Sequence, residues 1–155
     1  MNLILRHAIQ EDCHDLWVWR NHPEVRKWAF SRAEIDLEAH KEWFSRKIID
    51  DQVRIYIAEE QSGRKLAQVR FEVGVDGCCV HVNLNPVFFG QGWGNHVIRR
   101  ATERFFIERL DVAQVMAKVV KGNIASEKAF QKAGYLFLRE ARDEDGSVML
   151  FVHNR

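Results

Sequence analysis

Gly90-Gln91-Gly92-Trp93-Gly94 lies between an alternating apolar run ending at Asn85-Pro86 and an amphipathic stretch that begins near Asn95. A strand, a tight glycine turn and a helix start, in that order, aim several free backbone N–H groups and the positive helix end at one spot, which suits a phosphate. A helix entry made glycine-rich for close packing is the plainer reading of the same residues. The spacing excludes two familiar phosphate loops. In G-x-G-x-x-G the third glycine would fall on Asn95 or Val97, and a Walker loop needs Gly-Lys before Ser or Thr, whereas no Lys follows these glycines before Arg99.

Cys79 to Leu84 reads as the strand feeding the turn, and Val97, Ile98, Ala101 and Phe105 share one face of the helix leaving it, which extends to about Glu108. Upstream, Leu3 to Ala8 reads as a strand, and a helix from about Glu11 to Arg20 carries Leu16, Trp17 and Trp19 before a break at Asn21-His22-Pro23. A second helix, about Asp36 to Ile49, places Leu37, Phe44 and Ile48 on one stripe with His40 and Lys41 on or beside it. Val53 to Glu59 and Leu66 to Val73 alternate as strands around a hairpin turn at Ser62-Gly63. Downstream come a strand from Gln114 to Val120 and a helix capped by Asn123 and stopped at Gly134. A final hairpin of Tyr135 to Arg139 and Ser147 to His153 turns around Asp143-Glu144-Asp145-Gly146. The order βααβββαβαββ predicts an α/β (α+β) fold with a mixed, mainly antiparallel sheet, whose one parallel crossover runs from the Cys79 strand to the Gln114 strand.

The chain has 155 residues, 46% of them hydrophobic, and is expected to form one domain over residues 1–155. Its 23 basic and 22 acidic residues make no field for nucleic acid or an anionic membrane. No apolar stretch nears the roughly 20 residues that span a bilayer, and the amino terminus alternates where a signal peptide would be apolar, so a cytoplasmic protein is expected. The adjacent Cys78-Cys79 would face opposite sides of a strand, which argues against a disulfide framework, and no Cys/His spacing calls for a metal.

Val82-Asn83-Leu84-Asn85-Pro86 with the glycine turn, followed by Asn123-Ile124-Ala125-Ser126, Phe130 and Lys132-Ala133-Gly134-Tyr135, resembles the acetyl-coenzyme A (acetyl-CoA) binding and following motifs of the GNAT N-acetyltransferases. The resemblance implies a sheet splayed at its central parallel pair and flanked by about four helices. It also implies acetyl-CoA as donor: pantetheine in the gap beside Val82 and Leu84, pyrophosphate on the amides of Gln91, Gly92, Trp93, Gly94 and Asn95, and Asn123 and Ser126 completing the site.

Trp19-Arg20-Asn21-His22-Pro23 with Trp28 and Ser31, then His40 and Trp43-Phe44, resembles the start of the N-acetyltransferases that modify the 4-amino group of a UDP-linked 4-amino-4,6-dideoxy sugar in pseudaminic acid biosynthesis. On that likeness the acceptor is a nucleotide sugar. Arg20 would fork a diphosphate, Asn21 and His22 would bond sugar or uracil, and Trp28 would offer a stacking face, with His40 and Arg70 near the acceptor. Each has a plainer reading: Arg20-Asn21 as a helix end, Trp19 and Trp28 as core, His40 as a satisfied helix histidine.

Acetyl transfer to an amine needs a neutral amine, a stabilised oxyanion and a thiolate able to leave. The family resemblance assigns the oxyanion to the N–H of Leu84 and puts Phe130 where a tyrosine acid commonly stands, so either Ser126 or water must aid the sulfur. A water relayed by His81 or Glu72 is the candidate base. The expected function is direct acetyl transfer to a primary amine in a ternary complex. Protein amino-terminal (ribosomal-protein-type) acetylation and a non-catalytic acyl-CoA binding module stay open, as does a homodimer.

Overall fold

The alternating runs form seven strands of one sheet in a computed structural model that describes residues 1–144 and 146–155. They are β1 (Leu3–His7), β2 (Val53–Glu60), β3 (Lys65–Gly74), β4 (Gly77–Leu84), β5 (Gln114–Val120), β6 (Leu136–Asp143) and β7 (Gly146–Asn154), in the spatial order β1-β2-β3-β4-β5-β7-β6. Asp145, in the expected final turn, lies outside the described residues. Five α-helices are found where about four were expected. They are α1 (Cys13–Asn21), α2 (Pro23–Arg26), α3 (Leu37–Lys47), α4 (Trp93–Glu108) and α5 (Ile124–Lys132). The additional one is α2, a single turn at the expected break: Pro23 opens it with a preset φ, and His22 caps it by accepting the N–H of Glu24 at 3.2 Å.

Alternation along the central strands divides the side chains between two covers. One face carries Tyr56, Ala58, Val69, Phe71, Val80, Val115, Ala117 and Val119 and packs under α4 and α5 through Val97, Ile98, Ala101, Phe105 and Phe130. On the other face Val53, Ile55 and Ile57 of β2 meet Cys13, Leu16 and Trp19 of α1 and Phe44 of α3. The apolar part of that second cover ends at β2. On β3, β4 and β5 the same face turns polar.

All neighbouring strands are antiparallel except β4 and β5, which pair in parallel over only Cys78↔Val115, Cys79↔Met116 and Val80↔Ala117. Beyond Val80 the two strands separate, so the splay expected between them is present. The amide of Asn85 donates to Leu66 of β3 at 2.8 Å. By alternation the backbone groups of Val82 and Leu84 point the other way, into the gap.

Asp12 anchors the start of this frame. Its carboxylate is 1% exposed. It accepts both terminal nitrogens of Arg6 at 2.8 and 2.9 Å and the N–H of Ile9 at 2.9 Å, and it pairs with Lys65 at 2.9 Å. Burial alone would raise this acid, but Arg6, the Ile9 amide and Lys65 outweigh it and hold its pKa at about 2. β1, β3 and the entry to α1 meet at this one carboxylate.

Candidate active site

Gly90 and Gly92 adopt φ of +75° and +82°, which L side chains rarely take, and Gly92 is the N-cap of α4. Trp93, Gly94 and Asn95 follow it as the first helical residues, whose N–H groups have no carbonyl one turn back. The amide of Gln91 is directed instead to Phe88 O at 3.4 Å, so the N–H groups the turn can offer a ligand are those of Gly92 to Asn95. Close packing, the plainer reading, applies to a different glycine of the same turn: a Cβ on Gly94 would sit 3.4 Å from Ala129 Cβ of α5. The turn therefore does both things, seating α4 against α5 and presenting amides.

Asn123 caps α5 by accepting the Ser126 N–H at 3.3 Å. Ser126 lies three residues before Ala129 and so shares the helix face turned to the glycine turn. Its Oγ makes no hydrogen bond among the described residues, in contrast to the back-bonded hydroxyl of the plainer reading. Phe130 is 5% exposed and packs edge-on to Tyr135 at 5.1 Å and against Phe151 at 6.4 Å. It is a core residue.

Over the open end of the gap runs the segment from α1 to α3. His22 meets Phe89, beyond β4, edge to face at 6.4 Å, and Trp28 lies about 3.8 Å from the Cβ position of Gly122, just beyond β5. The segment thus touches both lips of the splay. It is held by its own polar groups: Asn21 gives both ends of its amide to Ile35 at 2.8 and 2.9 Å, Trp17 Nε1 donates to Ile35 O at 2.7 Å, and Arg20 donates to Ser31 O at 2.8 Å. Asn21, expected to hold substrate, is committed to shaping the loop. Trp19 is core, at 6% exposed, whereas Trp28 is half-buried at the gap.

Beneath this segment the polar face of the sheet carries a charged cluster. Arg70 and His81 are cross-strand partners. Glu72 pairs with Lys47 of α3, with Arg70 Nε at 3.3 Å and with His81 Nε2 at 3.6 Å. Burial would raise Glu72, but Lys47, Arg70 and His81 together lower it, so it is a carboxylate already consumed by cations. Arg70 stacks over Trp43 at 4.8 Å. Burial, together with Arg70, Lys47 and Lys118, depresses His81 to about 4 despite Glu72. Burial and then Arg20 and Arg70 likewise lower His40, against an opposing pull from the Cys13 backbone.

Buried side-chain nitrogens without a hydrogen-bond partner are, among the described residues, Arg20 Nη1, His40 Nε2 and Arg70 Nε. All belong to this cluster. The sequence had named each residue but not their convergence, and it missed Lys47 and Trp43 as lining groups; the register pairing β3 with β4 carries that information.

No group of three or more His, Cys, Asp or Glu able to hold a metal occurs among the described residues, and no helix there is long and apolar enough to cross a membrane. Over 98% of this chain and 95% of the other, the fold superposes on spermidine N-acetyltransferase of Vibrio cholerae in complex with CoA and spermine, with a TM-score of 0.87 at 16% identity. Aminoglycoside acetyltransferase AAC(6')-Ib in complex with coenzyme A gives 0.84 at 20% identity, over 99% and 95%. A curated relative, the uncharacterized protein MJ1062 of Methanocaldococcus jannaschii, is 23% identical over 148 residues, and the chain spans only 30% of its length. The acetyltransferase (GNAT) domain model matches residues 2–136. The chain belongs to the GNAT acetyltransferase family.

Proposed function

We propose that this protein acetylates a primary amine on a small molecule that also carries negative charge, namely the 4-amino group of a UDP-linked amino-deoxy sugar. The observation that carries this reading is the convergence of unpartnered nitrogens at Arg20, His40 and Arg70. Two guanidinium N–H groups lacking acceptors ask for an anion. His40 Nε2, buried without a partner on a ring whose pKa is lowered, is suited to a sugar or ribose hydroxyl. Spermine, bound by the Vibrio cholerae protein, is a polycation. Here the Glu72 carboxylate is taken by Lys47 and lies 3.3 Å from Arg70 Nε without hydrogen-bond geometry, so a polycation would meet Arg20, Lys47 and Arg70 with little acidic charge left to bind it.

Arg20→Ala is expected to raise the acceptor's KM by about tenfold or more while leaving acetyl-CoA affinity unchanged, since only one substrate loses a charge-assisted bond. Steady-state kinetics with a UDP-amino sugar, beside spermine and kanamycin as competitors, tests the reading. Preference for the polycations would overturn it.

In this reading the donor lies in the splay against the backbone of Val82 and Leu84, with its pyrophosphate on the amides of Gly92 to Asn95 and with Asn123 and Ser126 beside the sulfur. The amine nitrogen bonds to the thioester carbon, the C–S bond breaks, and the amine proton leaves to His81. The Leu84 N–H, having no strand partner in the gap, is free to bond the oxyanion. Ser126 Oγ, with no competing bond, donates to the departing sulfur. Ser126→Ala is therefore expected to lower kcat by about tenfold with little change in either KM. An unchanged kcat would leave water as the acid. The apolar setting of Phe130 is the reason to look to Ser126 first: a hydroxyl added to that ring must find a partner in the core or be left unpaired.

A further inference from the structure

Among the described residues His81 is the one imidazole on the polar sheet face next to the gap, yet in the free protein its pKa is lowered to about 4. Burial is the largest cause, and the charges around it add to it. Arg70 faces it from β3, Lys47 reaches in from α3 and Lys118, itself paired with Asp143 at 2.9 Å, stands on β5, while the Glu72 carboxylate opposes them. Arg20, from α1, adds its charge to Arg70 and His40. Glu72 is divided between cations: one oxygen goes to Lys47, and the other is shared by Arg70 at 3.3 Å and His81 at 3.6 Å. The Arg70 contact lacks hydrogen-bond geometry, so its Nε is still available to a better-placed acceptor.

We infer that the acceptor's own anionic group recruits His81 as the base: by pairing with Arg70 and Arg20 it neutralises the charge facing the imidazole and frees the shared Glu72 oxygen for His81. The inference rests on the anionic acceptor proposed above. Arg70 and Glu72 are positioning residues in it, acting through the histidine. The proton balance is simple. The amine gives its proton to His81 Nδ1 as the N–C bond forms and the C–S bond breaks, the resulting imidazolium is stabilised by Glu72 at Nε2, and it returns the proton to solvent once the product anion departs. A neutral amine of similar size leaves Arg70 uncompensated and His81 weak, so discrimination against it appears in kcat as well as in KM. That is a form of specificity in which the wrong substrate binds without assembling the base.

The test is an NMR titration of the imidazole nitrogens in the full chain, with His81→Asn identifying the resonance and UDP as the probe. Without UDP, His81 is expected to titrate near 4. Saturating UDP is expected to move it up by about one to two units. In Arg70→Gln the ligand-free value should already be raised, and UDP should add little. UDP that perturbs the Trp28 and Trp43 indole signals while the His81 titration stays fixed would overturn the inference but spare the anionic acceptor. UDP that perturbs neither would overturn both. A purely structural role for Arg70 predicts no change at His81 in the folded Arg70→Gln protein, so that result also counts against the inference.

Discussion

Replacing Gly92 with aspartate is expected to abolish acetyl-CoA binding, by a factor on the order of 100 or more in Kd, about 2.7 kcal/mol or above. Two effects act together. Aspartate at an N-cap accepts the amides of the first turn, so the new carboxylate would occupy the N–H groups of Gly94 and Asn95 itself. It would also set a negative charge against a pyrophosphate. The positive φ of Gly92 adds strain on the order of 1–2 kcal/mol, so Gly92→Ala is the control, carrying the strain without the charge. Calorimetry with both folded variants decides the matter. Gly92→Asp with wild-type affinity would remove the pyrophosphate from this turn.

Asp12→Ala is expected to cost about 3 kcal/mol of folding stability, the low end for a broken buried pair because Arg6 is 31% exposed and can turn to water. The pH dependence has a definite sign. With a folded pKa of about 2 against an ordinary value of about 3.9 when unfolded, the carboxylate's contribution is complete above pH 4 and fades as pH falls toward 2. Urea melts of wild type at pH 6 and pH 3 should show part of this loss, and Asp12→Asn should flatten it. A wild-type midpoint in the alanine variant would mean that Arg6 and Lys65 find other partners. The consequence reaches the site through α1, whose entry Asp12 fixes and whose far end carries Arg20.

The strands and the glycine turn were legible because their signals are local. Alternation in Val53 to Glu59, glycines at positive φ and Asn123 before an amphipathic run each refer to residues a few positions apart. The acceptor side was legible only as a list of residue types. Asn21 reads as a ligand group from composition, yet its amide is taken by Ile35, 14 residues on, a pairing with no periodic signature. Pro23 reads as a break and instead opens a turn of helix, because the cap at His22 outweighs the interruption. Phe130 reads as a missing acid and is an aromatic core residue. The charged cluster needed the β3–β4 register, which sets Arg70 opposite His81 and leaves Glu72 two pairs along on the same face. Alternation gives the two faces of a strand but not which of them a helix will cover.

With the donor seated as proposed, the short pairing of β4 with β5 would tie the stability of the protein to its supply of substrate. Three residue pairs join the two strands, and the backbone groups of Val82 and Leu84 beyond them have no strand partner. A ligand that bonds to those groups acts as absent rungs of the ladder, and binding only to the folded chain shifts unfolding by mass action, about 2.7 kcal/mol at a hundredfold excess over Kd. Amides at Val82 and Leu84 would exchange with solvent quickly in the free protein and slowly in the complex. The lifetime of the protein would then rise and fall with the concentration of its donor, so that a starved cell clears an acyltransferase it has no means to use.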